Sequence, residues 1–138
     1  MEGEIKIGNG NKILPNCVIY GPVEIGDKNI IGPNVVIGTP GQDTRNRYYD
    51  SSNCKIKIGN RNIIREFSAI QKPCYEDITL IGDDVYIMQS VHIPHDAHLY
   101  DKVVATPMTV LAGIAKILEW ANVAIGCSVN QITVVGQY

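Results

Sequence analysis

The residues that decide the fold are 81–135, IGDDVYIMQSVHIPHDAHLYDKVVATPMTVLAGIAKILEWANVAIGCSVNQITVV. Every sixth position of this stretch carries an apolar side chain, at Ile81, Ile87, Ile93, Leu99, Ala105, Leu111, Ile117, Val123, Val129 and Val135. The residue two positions earlier is usually small or β-branched, as at Val85, Ala97 and Thr109. Such alternation within a hexad is typical of a short strand with one buried face. The fixed phase indicates a repeat, because strands of an ordinary β-sandwich vary in length.

The six-residue spacing also occurs in the N-terminal half, in two shorter series. These are Ile7, Ile13, Ile19, Ile25, Ile31 and Ile37, followed by Ile58, Ile64 and Ile70. Three hexads make one coil, so equivalent positions recur every eighteen residues along the chain. A single hexad leaves its apolar side chain exposed, whereas stacked coils bury a column of such side chains. The sequence therefore predicts an all-β fold, a parallel β-helix of about six coils that occupies residues 1–138 as a single domain.

Two breaks in the spacing predict loops that leave the coil. The first is assigned to residues 39–55, because the step from Ile37 to Ile58 is three positions longer than one coil. The second is assigned to residues 71–77, and both segments are polar and rich in turn-forming residues. Insertions in solenoids often line the binding face, although a tolerated surface insertion is the alternative for each.

Composition excludes several classes of function. The formal net charge is −2, which gives no bulk attraction to nucleic acid or an anionic membrane. No N-terminal signal pattern and no apolar run of about 20 residues occurs, so we expect a cytoplasmic protein without a membrane span. The four cysteines lack CxxC spacing, and free thiols are expected.

All three histidines fall in residues 92–98, HIPHDAH. Three interpretations compete: a catalytic base, a metal site and structural histidines. His95 follows the inward Ile93 at a predicted turn, and Asp96 is placed to orient its imidazole, which suits a general base near neutral pH. Three histidines can hold zinc, but neighbouring positions along one coil do not converge on a point.

The coil length brings further residues to the predicted base. One coil after position 95 lies Gly113, and two coils after it lies Gln131, so the three are expected in one column. Gly113 leaves room for close approach and offers a backbone N–H to an oxyanion, while Gln131 offers an amide to a ligand. A base, an N–H donor and an amide on one edge suit acyl transfer from a thioester to an amine or hydroxyl.

These residues also carry a resemblance to a known family. The strings IGNRNIIREFSAI (58–70), VYIMQSVHIPHDAH (85–98), TVLAG (109–113) and SVNQITVVG (128–136) resemble the UDP-N-acetylglucosamine acyltransferase family of lipid A biosynthesis. The resemblance covers nearly the whole chain, and the string around His95 is its most specific part. It implies a left-handed β-helix, a homotrimer with active sites between subunits, and transfer of an acyl chain from acyl carrier protein to a nucleotide sugar.

The family's motifs imply roles for individual positions. They imply His95 as general base with Asp96 as its partner and Gly113 as the oxyanion donor. They place His92 and Gln131 in the acceptor site. Gln42-Asp43-Thr44-Arg45 resembles the family's Gln-Asp-Leu-Lys, which implies nucleotide-sugar contacts from Gln42, Asp43 and Arg45, with Arg45 suited to a phosphate.

The chain departs from the family at identifiable positions. Ile114 and Asn130 stand where the family has histidines, and the family's C-terminal part has no counterpart in this sequence. The repeat stops within a coil, so we expect either a longer parent chain or oligomer contacts over that end.

The sequence-based prediction is an acyltransferase that uses an acyl carrier protein or coenzyme A thioester, with no bound cofactor or metal. The alternatives are a non-catalytic sugar-nucleotide-binding or scaffold β-helix and, with less support, a zinc hydratase resembling γ-class carbonic anhydrase.

Overall fold

The computed structural model of the chain describes residues 1–45 and 54–138. In these residues short parallel strands form three sheets that wrap around one core, giving a left-handed parallel β-helix. The first sheet contains, in spatial order, β1 (Ile5–Ile7), β4 (Val23–Ile25), β7 (Lys55–Ile58), β10 (Ile78–Ile81), β13 (His98–Leu99), β16 (Lys116–Ile117) and β19 (Val134–Val135). No helix long and apolar enough to cross a membrane occurs in the described ranges.

The other two sheets follow the same order along the axis. The second contains β2 (Lys12–Ile13), β5 (Ile30–Ile31), β8 (Ile63–Ile64), β11 (Tyr86–Ile87), β14 (Val104–Ala105) and β17 (Asn122–Val123). The third contains β3 (Val18–Ile19), β6 (Val36–Thr39), β9 (Ala69–Gln71), β12 (His92–Ile93), β15 (Val110–Leu111) and β18 (Ser128–Val129). One strand from each sheet makes a coil, which confirms the predicted fold of about six coils.

The core consists of the hexad positions. Ile87 stacks between Ile64 and Ala105 in register, and the three side chains are almost completely buried. The second inward position of the hexads is also buried in the middle coils, and at Asn29 and Asn62 it holds a polar side chain. Oδ1 of Asn29 accepts a hydrogen bond from the backbone N–H of Asn62, and Oδ1 of Asn62 accepts one from the backbone N–H of Val85. Each buried amide therefore satisfies a backbone N–H group of the next coil.

The corners depend on a residue in the left-handed region, three positions after the inward side chain. Ser90, Asp96, Lys102 and Met108 all have φ near +60°, with the same six-residue spacing as the hexads. The glycines that directly follow Ile7, Ile25 and Ile58 serve another purpose. A Cβ on Gly26 would lie 2.7 Å from the Gly59 carbonyl oxygen, so these glycines allow neighbouring coils to approach closely.

Both insertions differ in detail from the sequence-based expectation. Ile25 pairs with Ile58, which makes that coil fifteen positions longer than an uninterrupted one. The step of eighteen plus three from Ile37 to Ile58 does not measure the insertion, because these two residues lie on different sheets. The strands β6 and β7 include Thr39 and Lys55, so the predicted loop 39–55 narrows to 40–54, of which 46–53 lie outside the described residues.

The second insertion is shorter. Ile58 pairs with Ile81, which makes this coil five positions longer than an uninterrupted one. Gln71 belongs to β9, so the predicted loop 71–77 narrows to 72–77. Both loops leave the coil after the third sheet, β6 in one case and β9 in the other.

Candidate active site

The corner that follows the third sheet brings the predicted site residues together. The Ile114 N–H donates to the His95 carbonyl at 3.2 Å, and the Ile132 N–H donates to the Gly113 carbonyl at 3.1 Å. His95, Gly113 and Gln131 therefore form the column that the coil length predicts. The loop after β6 lies against the same corner.

These elements enclose one cavity of about 240 Å³. Its lining contains seven of the eight residues predicted for the site: Gln42, Asp43, Arg45, His92, His95, Gly113 and Gln131. It also contains residues that the sequence did not single out: Thr44, Gln71, Pro94, Leu111 and Ala112. Asp96 is the eighth predicted residue and lies behind His95, fully buried.

His95 is the best-supported base of the cavity. Its side chain is 10% exposed, and its Nδ1 lies 2.7 Å from Oδ2 of Asp96. That contact fixes the ring and favours a proton on Nδ1, which leaves Nε2 as the acceptor. Nε2 lies on the side of the ring that approaches Gly113, another residue of the cavity lining.

Gly113 lies directly against the imidazole. A Cβ at this position would approach Cε1 of His95 and come within 2.6 Å of Nε2, so any larger residue displaces the ring. No described residue accepts a hydrogen bond from the Gly113 N–H, which leaves that donor available beside the base.

Asp96 is held by the second inserted loop. The backbone N–H groups of Cys74, Tyr75 and Glu76 all donate to its carboxylate, at 2.8 to 3.2 Å. Its own N–H donates to Thr79 Oγ1 at 3.1 Å. Asp96 has φ near +60°, which the corner requires and which an aspartate tolerates better than most residues. Residue identity carries no signal for this cradle, because the cradle consists of backbone groups.

One side of the cavity is formed by residues 42–45 of the first inserted loop. The Asp43 carboxylate accepts two hydrogen bonds, one from the Arg45 backbone N–H at 2.7 Å and one from the hydroxyl of Tyr75. Gln42 donates its N–H to Oε1 of the buried Gln71 at 3.4 Å. The Arg45 side chain is largely exposed and extends towards solvent.

The remaining histidines have different surroundings. Burial lowers the pKa of His92, and the neighbouring His95 lowers it further, so the neutral imidazole is favoured. His98 does not line the cavity, and its Nε2 lies 3.0 Å from Glu76 and 3.2 Å from the Ile78 carbonyl. The three histidines do not converge on a common point in the described structure, so they form no three-histidine zinc site there.

Comparison with known proteins places this geometry in context. A family described as bacterial transferase hexapeptide (six repeats) matches residues 4–39. The acyl-[acyl-carrier-protein]–UDP-N-acetylglucosamine O-acyltransferase of Thermodesulfovibrio yellowstonii is 34% identical over 120 residues, covering 86% of this chain and 45% of that protein. The Burkholderia lata enzyme of the same name is 37% identical over 92 residues, covering 65% and 35%.

Solved structures extend the likeness to the fold. The UDP-N-acetylglucosamine acyltransferase of Bacteroides fragilis superposes with a TM-score of 0.82 at 25% identity, covering 93% of this chain and 56% of that one. The Francisella novicida structure gives 0.75 at 23% identity, covering 93% and 53%. This chain is similar in sequence and in fold to the UDP-N-acetylglucosamine acyltransferases. It spans less than half the length of the curated acyltransferases that it matches.

Proposed function

We propose that the chain is an acyltransferase that moves an acyl group from a thioester to a hydroxyl or amine of a nucleotide-linked sugar. The observation that carries this proposal is the position of His95. Its Nδ1 is bonded to a buried carboxylate, while the Cε1–Nε2 edge of the ring lies against Gly113, which lines the same cavity. A positioned base and an oxyanion donor are the two groups that acyl transfer requires.

The reaction follows from this geometry. Nε2 of His95 accepts the proton of the acceptor hydroxyl or amine while its oxygen or nitrogen attacks the thioester carbonyl. Negative charge develops on the carbonyl oxygen, where the Gly113 N–H stabilises it. The carbon–sulfur bond then breaks, and the imidazolium returns its proton to the departing thiolate. Asp96 stabilises the imidazolium while it exists.

The acceptor contacts come from both sides of the cavity. Asp43 and Gln42 offer a carboxylate and an amide to sugar hydroxyls, and the exposed guanidinium of Arg45 suits a phosphate. The lowered pKa of His92 favours its neutral form, which would bind by hydrogen bonding rather than charge. The names of the similar acyltransferases include both acyl carrier protein and UDP-N-acetylglucosamine, which favours these as donor carrier and acceptor. Coenzyme A is the alternative thioester.

A homotrimer is part of the proposal. The cavity of about 240 Å³ is smaller than the roughly 300–1,000 Å³ of typical small-molecule sites. Arg45 and Gln131 on its rim are exposed, so a neighbouring copy of the chain would enlarge and close the site.

The test is transfer from acyl-acyl carrier protein and acyl-coenzyme A to UDP-N-acetylglucosamine, followed by mass spectrometry of the sugar nucleotide. His95→Asn removes the base and is expected to lower the rate at least about 100-fold. His98→Asn is the matched control, because His98 does not line the cavity. Undiminished transfer by a folded His95→Asn variant would overturn the mechanism.

The same assay separates catalysis from binding. Saturable binding of the sugar nucleotide without turnover of either thioester would favour the non-catalytic alternative. Ile114 and Asn130, which replace histidines of the family, are the residues to change back to histidine in that case.

A further inference from the structure

Three side chains beside the cavity offer ligand atoms of the kind that metals prefer. The thiol of Cys74, a ring nitrogen of His95 and a carboxylate oxygen of Asp96 lie within 4.8 Å of one another. Cys74 is partly buried, and the proposed acyl transfer makes no use of its sulfur. This is the one such group among residues 1–45 and 54–138.

The backbone holds this group in place from two directions. The N–H of Cys74 donates to both carboxylate oxygens of Asp96 at 3.1 Å, which fixes the loop beside the base. Gly41 from the other loop passes so close that an added Cβ would contact the Cys74 sulfur and lie 2.7 Å from Cβ of His95. Gly41 therefore packs against both the thiol and the base.

The donor set identifies the ion. A thiolate excludes Mg²⁺ and Ca²⁺, which require oxygen ligands, while sulfur, imidazole nitrogen and carboxylate oxygen together suit Zn²⁺. Zinc takes four ligands at about 2.0–2.3 Å, so three would come from the protein and the fourth would be water.

We propose that Cys74, His95 and Asp96 form a Zn²⁺ site and that its occupation stops His95 from acting as a base. The second half rests on the proposed function, and the first does not. Zinc binds Nδ1 of His95, an oxygen of Asp96 and the Cys74 thiolate, so the 2.7 Å contact between Nδ1 and Oδ2 opens by about half an ångström or more.

Proton balance explains the inhibition. The thiol releases its proton to solvent when the zinc–sulfur bond forms. The proton on Nδ1 of the imidazole moves to Nε2, because Nδ1 now bonds to the metal. Nε2 then carries a hydrogen and has no lone pair to accept the proton of the acceptor.

Zinc binding is measured on the purified chain by competition with a chromophoric zinc chelator at pH 7.5. We expect one Zn²⁺ per chain and at least a tenfold weaker affinity in Cys74→Ser, which keeps the backbone N–H that Asp96 accepts. His95→Asn should weaken binding similarly. Cys127→Ser is the matched control, because Cys127 does not belong to the group. Absence of binding, or unchanged affinity in Cys74→Ser, would overturn the site.

The inhibitory half is tested by transfer activity with and without Zn²⁺, each variant relative to its own zinc-free rate. We expect zinc to inhibit the unmodified chain, a chelator to restore the rate, and Cys74→Ser to resist. A rate that zinc leaves unchanged or increases would overturn the inhibition and leave the binding result standing. If no transfer is detected at all, the acyltransferase proposal fails, and the binding measurements still decide the site.

Discussion

At the scale of single residues, the site depends on how closely Gly113 approaches His95. A glycine here has an ordinary backbone conformation, since its φ does not lie in the left-handed region. What the position requires is the absence of a Cβ, because the imidazole already occupies that space. Gly113 therefore determines where Nε2 lies, while Asp96 determines how the ring is turned.

Gly113→Ala is expected to reduce transfer activity with little change in stability. The new methyl group would displace the imidazole, and a misplacement near 1 Å can lower a rate about 100-fold. We expect a loss between about 10- and 100-fold in kcat. Gly136→Ala is the control, because nothing lies within 4 Å of its added Cβ. Equal activity in the two variants would mean that the ring position is unimportant.

His92 provides a prediction about stability and pH. Its pKa is lowered in the folded chain, chiefly by burial, while an unfolded histidine titrates near 6.5. The unfolded state therefore binds the proton more readily, and its uptake lowers the free energy of unfolding as the pH falls below about 6.5. Above that pH the contribution is fully present.

We expect His92→Gln to lose less stability than the unmodified chain between pH 7.5 and 5.5. The measurement is urea denaturation at both pH values and one protein concentration. Because the other titrating groups are shared, the difference between the two curves isolates His92. Parallel losses in the two proteins would show that His92 is protonated equally in both states.

At the scale of elements, the two inserted loops form one unit. The hydroxyl of Tyr75 donates to the carboxylate of Asp43, which links the loop that cradles Asp96 to the loop proposed to bind the acceptor. The same contact raises the pKa of Tyr75, because the carboxylate disfavours a tyrosinate. The Tyr75 ring also meets the imidazole of His95 edge-on, with 6.0 Å between centroids.

Tyr75→Phe is expected to raise KM for the sugar nucleotide with little change in kcat. The variant keeps the ring and the backbone N–H to Asp96, but it releases the Asp43 carboxylate from its fixed position. Tyr75 is exposed, which weakens its hydrogen bond to the carboxylate, so we expect a rise of only roughly threefold to tenfold.

Tyr20→Phe is the control for this variant, because Tyr20 does not line the cavity. A fall in kcat with unchanged KM would contradict the assignment, since it would place Tyr75 with the base rather than with the acceptor.

The elements also show which parts of the site the sequence could predict. The column of His95, Gly113 and Gln131 was predictable, because it depends only on an uninterrupted coil length after Ile81. The cradle of Asp96 was not, because backbone N–H groups leave no mark on residue identity. The loop 39–55 was predicted to within one residue at each end, but counting in sixes does not tell which sheet Ile58 joins.

At the scale of the whole molecule, the fold is a stack in which each coil contacts only its neighbours. Stability in such a solenoid is the sum of terms within coils and between adjacent coils. The hexad pattern predicted this architecture because a buried column needs the same kind of residue at each step. A buried Asn29 or Asn62 breaks the apolar pattern without breaking the stack, since each amide bonds to the adjacent coils.

The stack predicts that the same substitution changes the free energy of unfolding more in a middle coil than in a terminal coil. Ile87 is fully buried with a coil on either side, whereas Ile13, at the end of the same sheet, pairs only with Ile31 and is partly exposed. We expect Ile87→Ala to lower the free energy of unfolding by about 2–5 kcal/mol and Ile13→Ala by clearly less. Urea denaturation at one fixed concentration measures both, since any oligomer makes stability depend on concentration. Equal losses would indicate that another surface covers Ile13 in solution.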